Sequence, residues 1–405
     1  MTKNMALAVI GSAYGDEGKG LMTDILAHQG ADIVVRTNGG AQAGHTVTTP
    51  DGKRHVFHHF GSGAFAGVAS HMSQFFVSHP MFLLREFDDL REMGAKTVIT
   101  TDPRSIITTP YDMMINQFIE QQRAGGRHGS CGVGFGEAIE RSLREDLRIT
   151  VGDLFSDKNI KDILVKIRSE WVNPRMASLG GYPLSEDQAA IVGNDMILER
   201  FIQDCEDFKA IVGIRQDSDL VGKVLFEGAQ GLLLDQDYGA FPHVTRSNTG
   251  LLNMAAIANE AGIDSIDVHY MTRSYTTRHG AGPMAHDGED MSYVEIVDPT
   301  NVHNDWQGTI RAAPLDLQVL GKAIAHDISR VAGQIEIDAG IVITCLDQLV
   351  SDAVVYETDS LANCVSAELL ACEIENSTGF VVKGTSWGPT RESYRVTEMS
   401  LKMVV

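Results

Sequence analysis

The chain has 405 residues, 43% hydrophobic and 21% charged, enough for a large globular core. Its 54 acidic residues outnumber the 33 Lys and Arg residues and give a formal net charge of −21, which disfavours nucleic acid as a partner because a polyanion is repelled. The sequence shows no signal-peptide pattern and no apolar stretch of about 18 residues, so we expect no membrane segment. The five cysteines form no CxxC pair, and we expect a cytoplasmic protein.

Apolar, β-rich segments alternate with segments of helical periodicity along the chain. The predicted strands are MALAVIG (5–11), ADIVVRT (31–37), FFVSH (75–79), KTVIT (96–100), KVLFEGA (223–229), SIDVHYM (265–271) and GIVITCL (340–346). The predicted helices cover 24–30, 81–94, 111–125 and 315–333. This alternation predicts an α/β fold with a central, mostly parallel sheet flanked by helices. Without a low-complexity linker or an internal repeat, we predict one domain over residues 1–405, with long functional loops.

The segment GDEGKG (15–20) follows the first strand and precedes a helix, which is the usual context of a phosphate-binding loop. Gly15, Gly18 and Gly20 allow a ligand to approach the backbone, and Lys19 supplies a charge. The spacing differs from the common P-loop, so a plain glycine-rich turn is the alternative interpretation. Asp16 within such a loop could bind magnesium or act as a general base.

The segment NGGAQAGHT (38–46) follows the second strand. His45 follows a glycine at the carboxyl edge of the predicted sheet, where ligands of such folds bind. A lone histidine there is more often a structural hydrogen-bond donor. Together with Asp16, it suggests a base and an acid that face one substrate.

Several long motifs resemble those of the adenylosuccinate synthetase family. GDEGKG, VVRTNGGAQAGHT, LFEGAQGLLLDQDYGAFPHVTRSNT, TTRHGAGP and SWGPTR occur in that order across residues 8 to about 392. The resemblance implies a two-step ligase: a nucleoside triphosphate phosphorylates the 6-oxygen of a purine nucleoside monophosphate, and the amine of aspartate then displaces the phosphate. IMP is the expected monophosphate and GTP the expected triphosphate.

The resemblance also implies residue roles. Asp16 matches the base that removes the N1 proton, and His45 the acid that hydrogen-bonds the 6-oxygen and the transferred phosphoryl group. Mg²⁺ would lie on Asp16 and the carbonyl of Gly44. The implied triphosphate-binding residues are Gly15, Glu17, Gly18, Lys19, Gly20, Gly44, Thr46, Asp347, Ser386 and Gly388. The implied monophosphate-binding residues are Asp16, Gln42, Ser130, Cys131, Arg148, Gln230 and Thr245.

Departures from the family pattern leave the substrates open. Guanine-specific members have TKLD where this chain has TCLD (344–347), so Asp347 is retained but Cys345 cannot replace the charged lysine stem. Gln42 stands in place of an asparagine, and Cys131 and Val133 replace a threonine and an arginine. ATP or dATP therefore remains an alternative donor. Phage relatives that ligate aspartate to dGMP as a rule lack the aspartate that matches Asp16. Its retention here favours a hypoxanthine substrate, but the altered residues Cys131 and Val133 keep dGMP as the alternative substrate.

The region that clamps the aspartate carboxylates in the family contains several arginines, whereas NDWQGTIRAAPLD carries only Arg311. Thr309, Arg311 and His279 are the implied amino-acid-binding residues, with Arg278 nearby. The family forms homodimers, and Arg148 is the candidate that reaches the partner subunit's phosphate site.

Two other interpretations concern function and a histidine cluster. A nucleotide-binding sensor without catalysis is the alternative of another class, although it would not need Asp16, Lys19, His45 and Gln230 together. HVFHHF, with its three histidines, alternates with apolar residues and has no cysteine or carboxylate at ligand spacing. We interpret it as a strand edge and not as a metal site.

Overall fold

The computed structural model describes residues 4–123, 130–300, 308–358 and 361–397. The strands in these residues are β1 (Met5–Gly11), β2 (Ile33–Arg36), β3 (His45–Thr48), β4 (Arg54–Phe57), β5 (Ala69–Met72), β6 (Val77–Ser78), β7 (Ile99–Thr101), β8 (Ile106–Ile107), β9 (Gly213–Ile214), β10 (Val224–Glu227), β11 (Ser265–Arg273), β12 (Thr276–Arg278), β13 (Arg311–Ala313), β14 (Leu315–Asp316), β15 (Glu336–Thr344), β16 (Ala353–Thr358), β17 (Leu361–Ser366), β18 (Val381–Ser386) and β19 (Tyr394–Val396).

The α-helices of the described residues are α1 (Lys19–His28), α2 (Pro80–Glu92), α3 (Pro110–Arg123), α4 (Phe135–Ser142), α5 (Val151–Leu154), α6 (Ile160–Lys166), α7 (Val172–Ser178), α8 (Glu186–Val192), α9 (Asp195–Ile211), α10 (Leu251–Ala261), α11 (Leu317–Arg330) and α12 (Ala367–Thr378). A π-helical segment at Ile167–Trp171 joins α6 to α7. No helix of the described residues has the length and apolar character needed to cross a bilayer.

The main sheet has ten strands in the order β19-β18-β15-β11-β1-β10-β2-β5-β7-β9. Every neighbouring pair is parallel except β18 and β19, which are antiparallel. The prediction of a mostly parallel sheet is confirmed. All seven predicted strand segments contain observed strands, although FFVSH contributes only a two-residue strand outside the main sheet.

Alternate residues of the central strand β1 are buried on opposite faces of the sheet, as strand geometry requires. Ala8 packs with residues of α10, α11 and α12 in one core cluster. Val9 packs instead with Leu21 and Ile25 of α1 on the other face. Because both faces are covered by helices, β1 consists almost entirely of apolar residues.

The parallel arrangement brings the carboxyl ends of many strands to one edge of the sheet. Strand β1 ends there before the GDEGKG loop, and β2 and β10 end beside it with Arg36 and Glu227 in register. Strands β11 and β15 end on the other side of β1, with Arg273 and Thr344 in register. The motifs of the sequence are thus brought together by topology, since most of them directly follow these strands.

Candidate active site

One cavity of about 760 Å³ lies over the carboxyl ends of the central strands. Its walls come from the loops after β1, β2, β10, β11 and β15 and from the start of α4. The sequence-predicted residues that line it are Gly15, Asp16, Gly18, Lys19, Gly20, Gln42, Gly44, His45, Thr46, Ser130, Cys131, Gln230, Thr245, His279, Asp347 and Gly388. The predicted base, acid and phosphate loop therefore share one cavity.

Glu17 points away from the cavity and organises the loop from within. Its Oε1 accepts hydrogen bonds from the amides of Ala13 and Gly15, each at 2.9 Å. Its Oε2 forms an ion pair at 3.1 Å with Lys19, and both side chains are only 3% exposed. The structure thus places Glu17 outside the cavity lining, and its predicted contact with triphosphate stays a prediction.

Gly11 makes room for this ion pair. A Cβ at position 11 would lie 2.4 Å from Oε2 of Glu17, 2.8 Å from Nζ of Lys19 and 2.5 Å from the carbonyl oxygen of Gln230. These distances are shorter than any ordinary contact, so a side chain at this position would displace the ion pair. The last residue of β1 must therefore be glycine for the loop to adopt this conformation.

Asp16 adopts a left-handed backbone conformation, with φ of 62°. Nε of Arg273 donates a hydrogen bond to its carbonyl oxygen at 2.6 Å, which holds this uncommon conformation in place. The carboxylate lines the cavity and shows no hydrogen bond to any other described residue. Burial raises the pKa of Asp16 above its ordinary value, against the opposing effects of Arg273 and Lys19. A raised pKa is the property expected of a general base.

His45 begins β3 and is held by a residue that the sequence interpretation missed. Its Nδ1 lies 2.7 Å from Oε1 of Glu227 at the end of β10. Glu227 also accepts a hydrogen bond from the amide of Ser62 at 3.0 Å and lies 3.8 Å from the guanidinium of Arg36. Since a carboxylate can only accept, we assign the proton to Nδ1, which leaves Nε2 for a ligand in the cavity. Glu227 is the first residue of the EGAQG motif, and this position was the sequence signal that could have identified it.

Both side chains have pKa values below their ordinary range. Burial lowers the pKa of His45 to about 4, reinforced by Arg36 and only partly offset by Glu227. Burial alone would raise the pKa of Glu227, but Arg36, His45 and Ser62 outweigh it and lower that pKa to about 2. At neutral pH the pair is therefore a neutral imidazole that donates to a carboxylate.

Several buried polar atoms around the cavity have no hydrogen-bond partner among the described residues. They include both amide atoms of Gln42, Oε1 of Gln230, Nδ1 of His58 and both ring nitrogens of His279, and each of these residues lines the cavity. Buried polar groups are costly without partners. A polar ligand that fills the cavity would satisfy them.

Ser130, Cys131 and Thr245 are three of the predicted monophosphate-binding residues that line the cavity. Oγ of Ser130 donates to Oδ1 of Asn116 at 2.8 Å, and burial raises the pKa of the Cys131 thiol to about 11. Cys131 is thus a neutral, weak donor at the position of a threonine. The amide of Thr245 donates to the carbonyl of Leu234 at 2.8 Å, and its side chain lines the cavity.

The TCLD segment forms a 3-10 turn after β15. Cys345 precedes the turn with φ of 61°, and burial raises the pKa of its thiol. Asp347 lines the cavity from the turn, and Gly388 lines it from the loop after β18. Ser386 is buried, and its hydroxyl donates to the carbonyl of Gly388 at 2.9 Å. Ser386 therefore shapes the loop and does not line the cavity.

Arg311 is occupied by contacts within the protein. Its guanidinium forms an ion pair with Asp287 and donates to the carbonyl oxygens of Gly280 and Gly282, at 3.0 and 2.8 Å. It does not line the cavity, and neither does Thr309, which is exposed. Residues 304–307 of the same loop lie outside the described residues. Arg311 supports the wall that contains His279, and its predicted contact with an amino acid stays a prediction.

Arg148 lies outside the cavity as well. Its Nε donates to the carbonyl oxygen of Ser142 at 2.8 Å. A single chain does not test its predicted role at the phosphate site of a partner subunit, so that role also stays a prediction.

Two cavity arginines have no ion pair with a carboxylate among the described residues. They are Arg54, which donates to the hydroxyl of Thr300, and Arg278, which lies 4.4 Å above the ring of Tyr14. Arg273, by contrast, is paired with Asp298 at 2.8 Å. Arg54 and Arg273 were missed by the sequence interpretation because neither lies within a glycine-rich motif. The two uncompensated cations favour an anionic ligand.

Comparisons with known proteins agree with this geometry. The adenylosuccinate synthetase family model matches residues 8–325. An adenylosuccinate synthetase of Prochlorococcus marinus (strain MIT 9515) is 31% identical over 376 residues, which cover 91% of this chain and 80% of the relative. One of Synechococcus sp. (strain WH7803) is 34% identical over 283 residues, 68% of this chain and 62% of the relative. The chain thus matches less than two thirds of the Synechococcus relative's length.

Two solved structures share the fold. A fully ligated adenylosuccinate synthetase of Plasmodium falciparum superposes with a TM-score of 0.71 at 19% identity, covering 97% of this chain and 100% of its own. The succinoaminodeoxyadenylate synthetase of cyanophage S-2L, bound to dGMP and dATP, has a TM-score of 0.60 at 16% identity, covering 100% and 99%. These likenesses show the fold alone.

Proposed function

Because the chain belongs to the adenylosuccinate synthetase family, we propose that it is a ligase of purine biosynthesis that joins aspartate to C6 of a purine nucleoside monophosphate. IMP is the lead substrate and GTP the lead phosphoryl donor. The observation that carries the proposal is the shared cavity of Asp16 and His45, in which a partly buried carboxylate of raised pKa and a carboxylate-held imidazole face the same space.

Asp16 performs the first step. A 6-oxo purine is a weak nucleophile while N1 keeps its proton, and the Asp16 carboxylate removes that proton. The 6-oxygen then attacks the terminal phosphorus of the triphosphate, and the diphosphate leaves. The amine of aspartate next attacks C6 and displaces inorganic phosphate, so one triphosphate is hydrolysed for each bond formed. Arg273 holds the Asp16 backbone at 2.6 Å and so keeps the base in position.

His45 acts on the oxygen between C6 and phosphorus. With Nδ1 held by Glu227, the ring binds this oxygen through Nε2, which donates a hydrogen bond only when the ring is protonated. A pKa of about 4 in the free protein means that the negative charge of the bound phosphoryl group must raise it. Glu227 stabilises the resulting imidazolium, and it is a positioning residue.

The donor set around Asp16 fits Mg²⁺. The carboxylate has no hydrogen-bond partner among the described residues and faces the cavity, as does Gly44, where a Cβ would lie 2.8 Å from Val56. A carboxylate and a backbone carbonyl are the hard oxygen ligands that Mg²⁺ prefers, and phosphate oxygens and water complete its shell. When bound, the ion neutralises charge on the triphosphate oxygens. We propose that Asp16 and Gly44 hold it.

The remaining lining residues bind the nucleotides in this proposal. Lys19 and the loop amides hold the triphosphate, once the ligand competes with Glu17 for them. Gln230, whose Oε1 has no described partner, contacts the purine. Ser130, Cys131 and Thr245 receive the monophosphate. His279 and Arg278, which forms no ion pair with a carboxylate of the described residues, line the cavity and would bind the aspartate carboxylates.

Cys345 supports a second candidate for the donor, in which ATP or dATP replaces GTP, and Cys131 with Val133 leaves room for dGMP in place of IMP. Without the lysine stem of TKLD, the donor base would meet the partly buried thiol of Cys345, whose pKa burial raises, so guanine recognition would depend on Asp347. If GTP is the donor, Asp347→Asn should lower kcat/KM for GTP about tenfold or more and leave ATP unaffected. An equal decrease of kcat/KM for GTP and ATP would show that Asp347 does not recognise the guanine base.

The experiment that tests the proposal is a matrix of co-substrates. Phosphate release is measured with GTP, ATP or dATP against IMP, dIMP, GMP or dGMP, with and without aspartate. Phosphate release that requires GTP, IMP and aspartate together supports IMP as the substrate and GTP as the donor. Release only with dGMP, or only with ATP or dATP, supports the second candidate. Nucleotide binding without release under any combination would instead indicate a sensor.

We also propose that the protein acts in the cytoplasm as a homodimer, in which Arg148 of one subunit contacts the monophosphate in the other. Analytical ultracentrifugation tests the dimer. Mixing Arg148→Ala chains with inactive Asp16→Asn chains tests the shared site, because a mixed dimer would regain one complete site.

A further inference from the structure

A group of four ionisable side chains lies outside the nucleotide cavity, where β14 and β16 meet the segment after β12. Nδ1 of His286 is 3.0 Å from Oε1 of Glu289, and its Nε2 is 3.1 Å from Oδ2 of Asp316. A carboxylate oxygen of Glu357 belongs to the same group, since the ligand atoms of His286, Glu289 and Glu357 all lie within 4.8 Å of one another. None of the four residues lines the cavity.

Glu357 is the unusual member of the group. It is only 3% exposed, and its carboxylate has neither a hydrogen bond nor an ion pair with another described residue. It also stands directly opposite Asp316 in the parallel pairing of β14 with β16. Two like charges facing each other across strands are destabilising. A compensating cation would stabilise a buried carboxylate in this position.

The protein itself supplies too little positive charge. Three carboxylates surround one histidine, and no Lys or Arg among the described residues forms an ion pair with Glu289, Asp316 or Glu357. Oδ1 of Asp316 accepts the amide of Val319 at the start of α11, which consumes one oxygen but adds no full charge. Even a protonated His286 would leave the group with a net negative charge.

The histidine is oriented as in a metal site. Asp316 accepts a hydrogen bond from Nε2, and Glu289 accepts one from Nδ1 when the ring is doubly protonated. A metal ion at Nδ1 would replace that proton while Asp316 keeps its hydrogen bond to Nε2. A carboxylate that holds the far nitrogen of a metal-bound histidine is a recurrent arrangement. Tetrahedral Zn²⁺ with bonds of about 2.0–2.1 Å places its ligand atoms roughly 3.3 Å apart, so the observed group needs only a modest contraction.

We propose that His286, Glu289 and Glu357 bind a divalent transition-metal ion of the Zn²⁺ class, with Asp316 orienting the histidine. Mixed nitrogen and oxygen ligands suit such an ion better than Mg²⁺, which prefers oxygen alone. The exposed side of Glu289 provides the entry path. Solvent completes the coordination.

The site would tie a cavity wall to the sheet behind it. Asp287, next to His286, is the partner of Arg311, which in turn holds the carbonyl oxygens of Gly280 and Gly282. Gly280 lines the nucleotide cavity. A metal ion that joins residues 286–289 to β16 would therefore stabilise this wall, independently of the reaction in the cavity.

Zn²⁺ binding by the chelator-treated full chain, without nucleotide, tests the proposal. The Asp16→Asn background is used so that the nucleotide cavity does not compete for the metal. We expect one Zn²⁺ per chain by equilibrium dialysis, with a rise in the thermal unfolding midpoint. Glu289→Gln, at an exposed position, and His286→Asn should each weaken binding at least tenfold and remove the rise. Asp316→Asn should weaken it by about 10–100-fold.

His28→Asn is the matched control, because His28 also lies beside a carboxylate, with Nδ1 3.4 Å from Oδ1 of Asp24. It should retain the affinity of the background protein. The proposal is overturned if Zn²⁺ does not bind at concentrations up to about 1 mM. It is also overturned if Glu289→Gln and His286→Asn, both folded by circular dichroism, keep that affinity within about twofold.

Discussion

Nδ1 of His45 and Oε1 of Glu227 are 2.7 Å apart, although the two residues are 182 positions apart in the chain. The contact forms because β10 ends next to β2, whose following loop leads to His45. Arg36, the last residue of β2, keeps Glu227 ionised. This relationship determines which nitrogen of His45 is available to a ligand.

Replacing Glu227 with Gln should lower kcat by about 10²-fold, because the imidazolium form of His45 loses its stabilising carboxylate. KM for the nucleotides should change much less. Since Glu227 raises the pKa of His45, the alkaline limb of the kcat profile, which the general acid sets, should move to lower pH. Glu206→Gln, at an exposed residue paired with Lys209, is the control. An unchanged pH profile with reduced thermal stability would indicate a purely structural role.

Replacing Asp16 with Asn should reduce turnover by at least about 10³-fold while nucleotide binding persists. Asn is a better test than Ala because position 16 has φ of 62°, a conformation that Asn tolerates and Ala does not. Single-turnover phosphate release measures the chemical step, and fluorescence titration measures binding. A variant that retains the wild-type rate would remove the base assignment.

Replacing Gly11 with Ala should disrupt the phosphate loop, because the new methyl group would occupy the space of the Glu17 and Lys19 ion pair. Breaking a buried pair costs about 3–5 kcal/mol, so we expect a lower thermal midpoint and a higher KM for the triphosphate. Gly193→Ala, at a helix end with φ of −76°, is the control and should unfold like the wild type. Equal behaviour of both variants would contradict the proposed role of Gly11.

Acid should destabilise the protein between pH 6.5 and 4. Burial lowers the pKa of His45 and of His269 to about 4 and that of His79 to about 3. In this window the unfolded chain binds protons that the folded chain does not, so stability is full above pH 6.5 and is lost as the pH falls. Each histidine contributes a slope of at most about 1.4 kcal/mol per pH unit.

Urea unfolding at a series of pH values measures this loss. His269→Gln should flatten the slope between pH 6.5 and 4, whereas His28→Gln, at a partly exposed residue, should leave it unchanged. A slope that is the same in His269→Gln and in the wild type would contradict the buried, neutral state of His269.

The structure of the HVFHHF segment could be predicted from its own sequence only in part. The structure does contain a strand edge there, β4, as the alternation predicted. Yet the carboxylate that was missing from the local sequence comes from α2. Oε1 of Glu86 accepts the amide of His58 at 2.8 Å, and its Oε2 lies 3.2 Å from Nδ1 of His59. No spacing rule within the segment could identify a partner that tertiary packing brings from another helix.

The sequence alone determined the α/β fold, the mostly parallel sheet and the set of loops that surround the site. These features follow from short-range causes: buried parallel strands must be apolar on both faces, and a strand followed by glycines and a helix start exposes amides. The order of the sheet and the direction of each side chain are different. Only the tertiary structure decided three side-chain contacts. Glu17 turns inward to Lys19 because the loop folds against Gly11 at the end of β1. Arg311 pairs with Asp287, and Glu227 holds His45, because packing brings together segments that are distant in the chain.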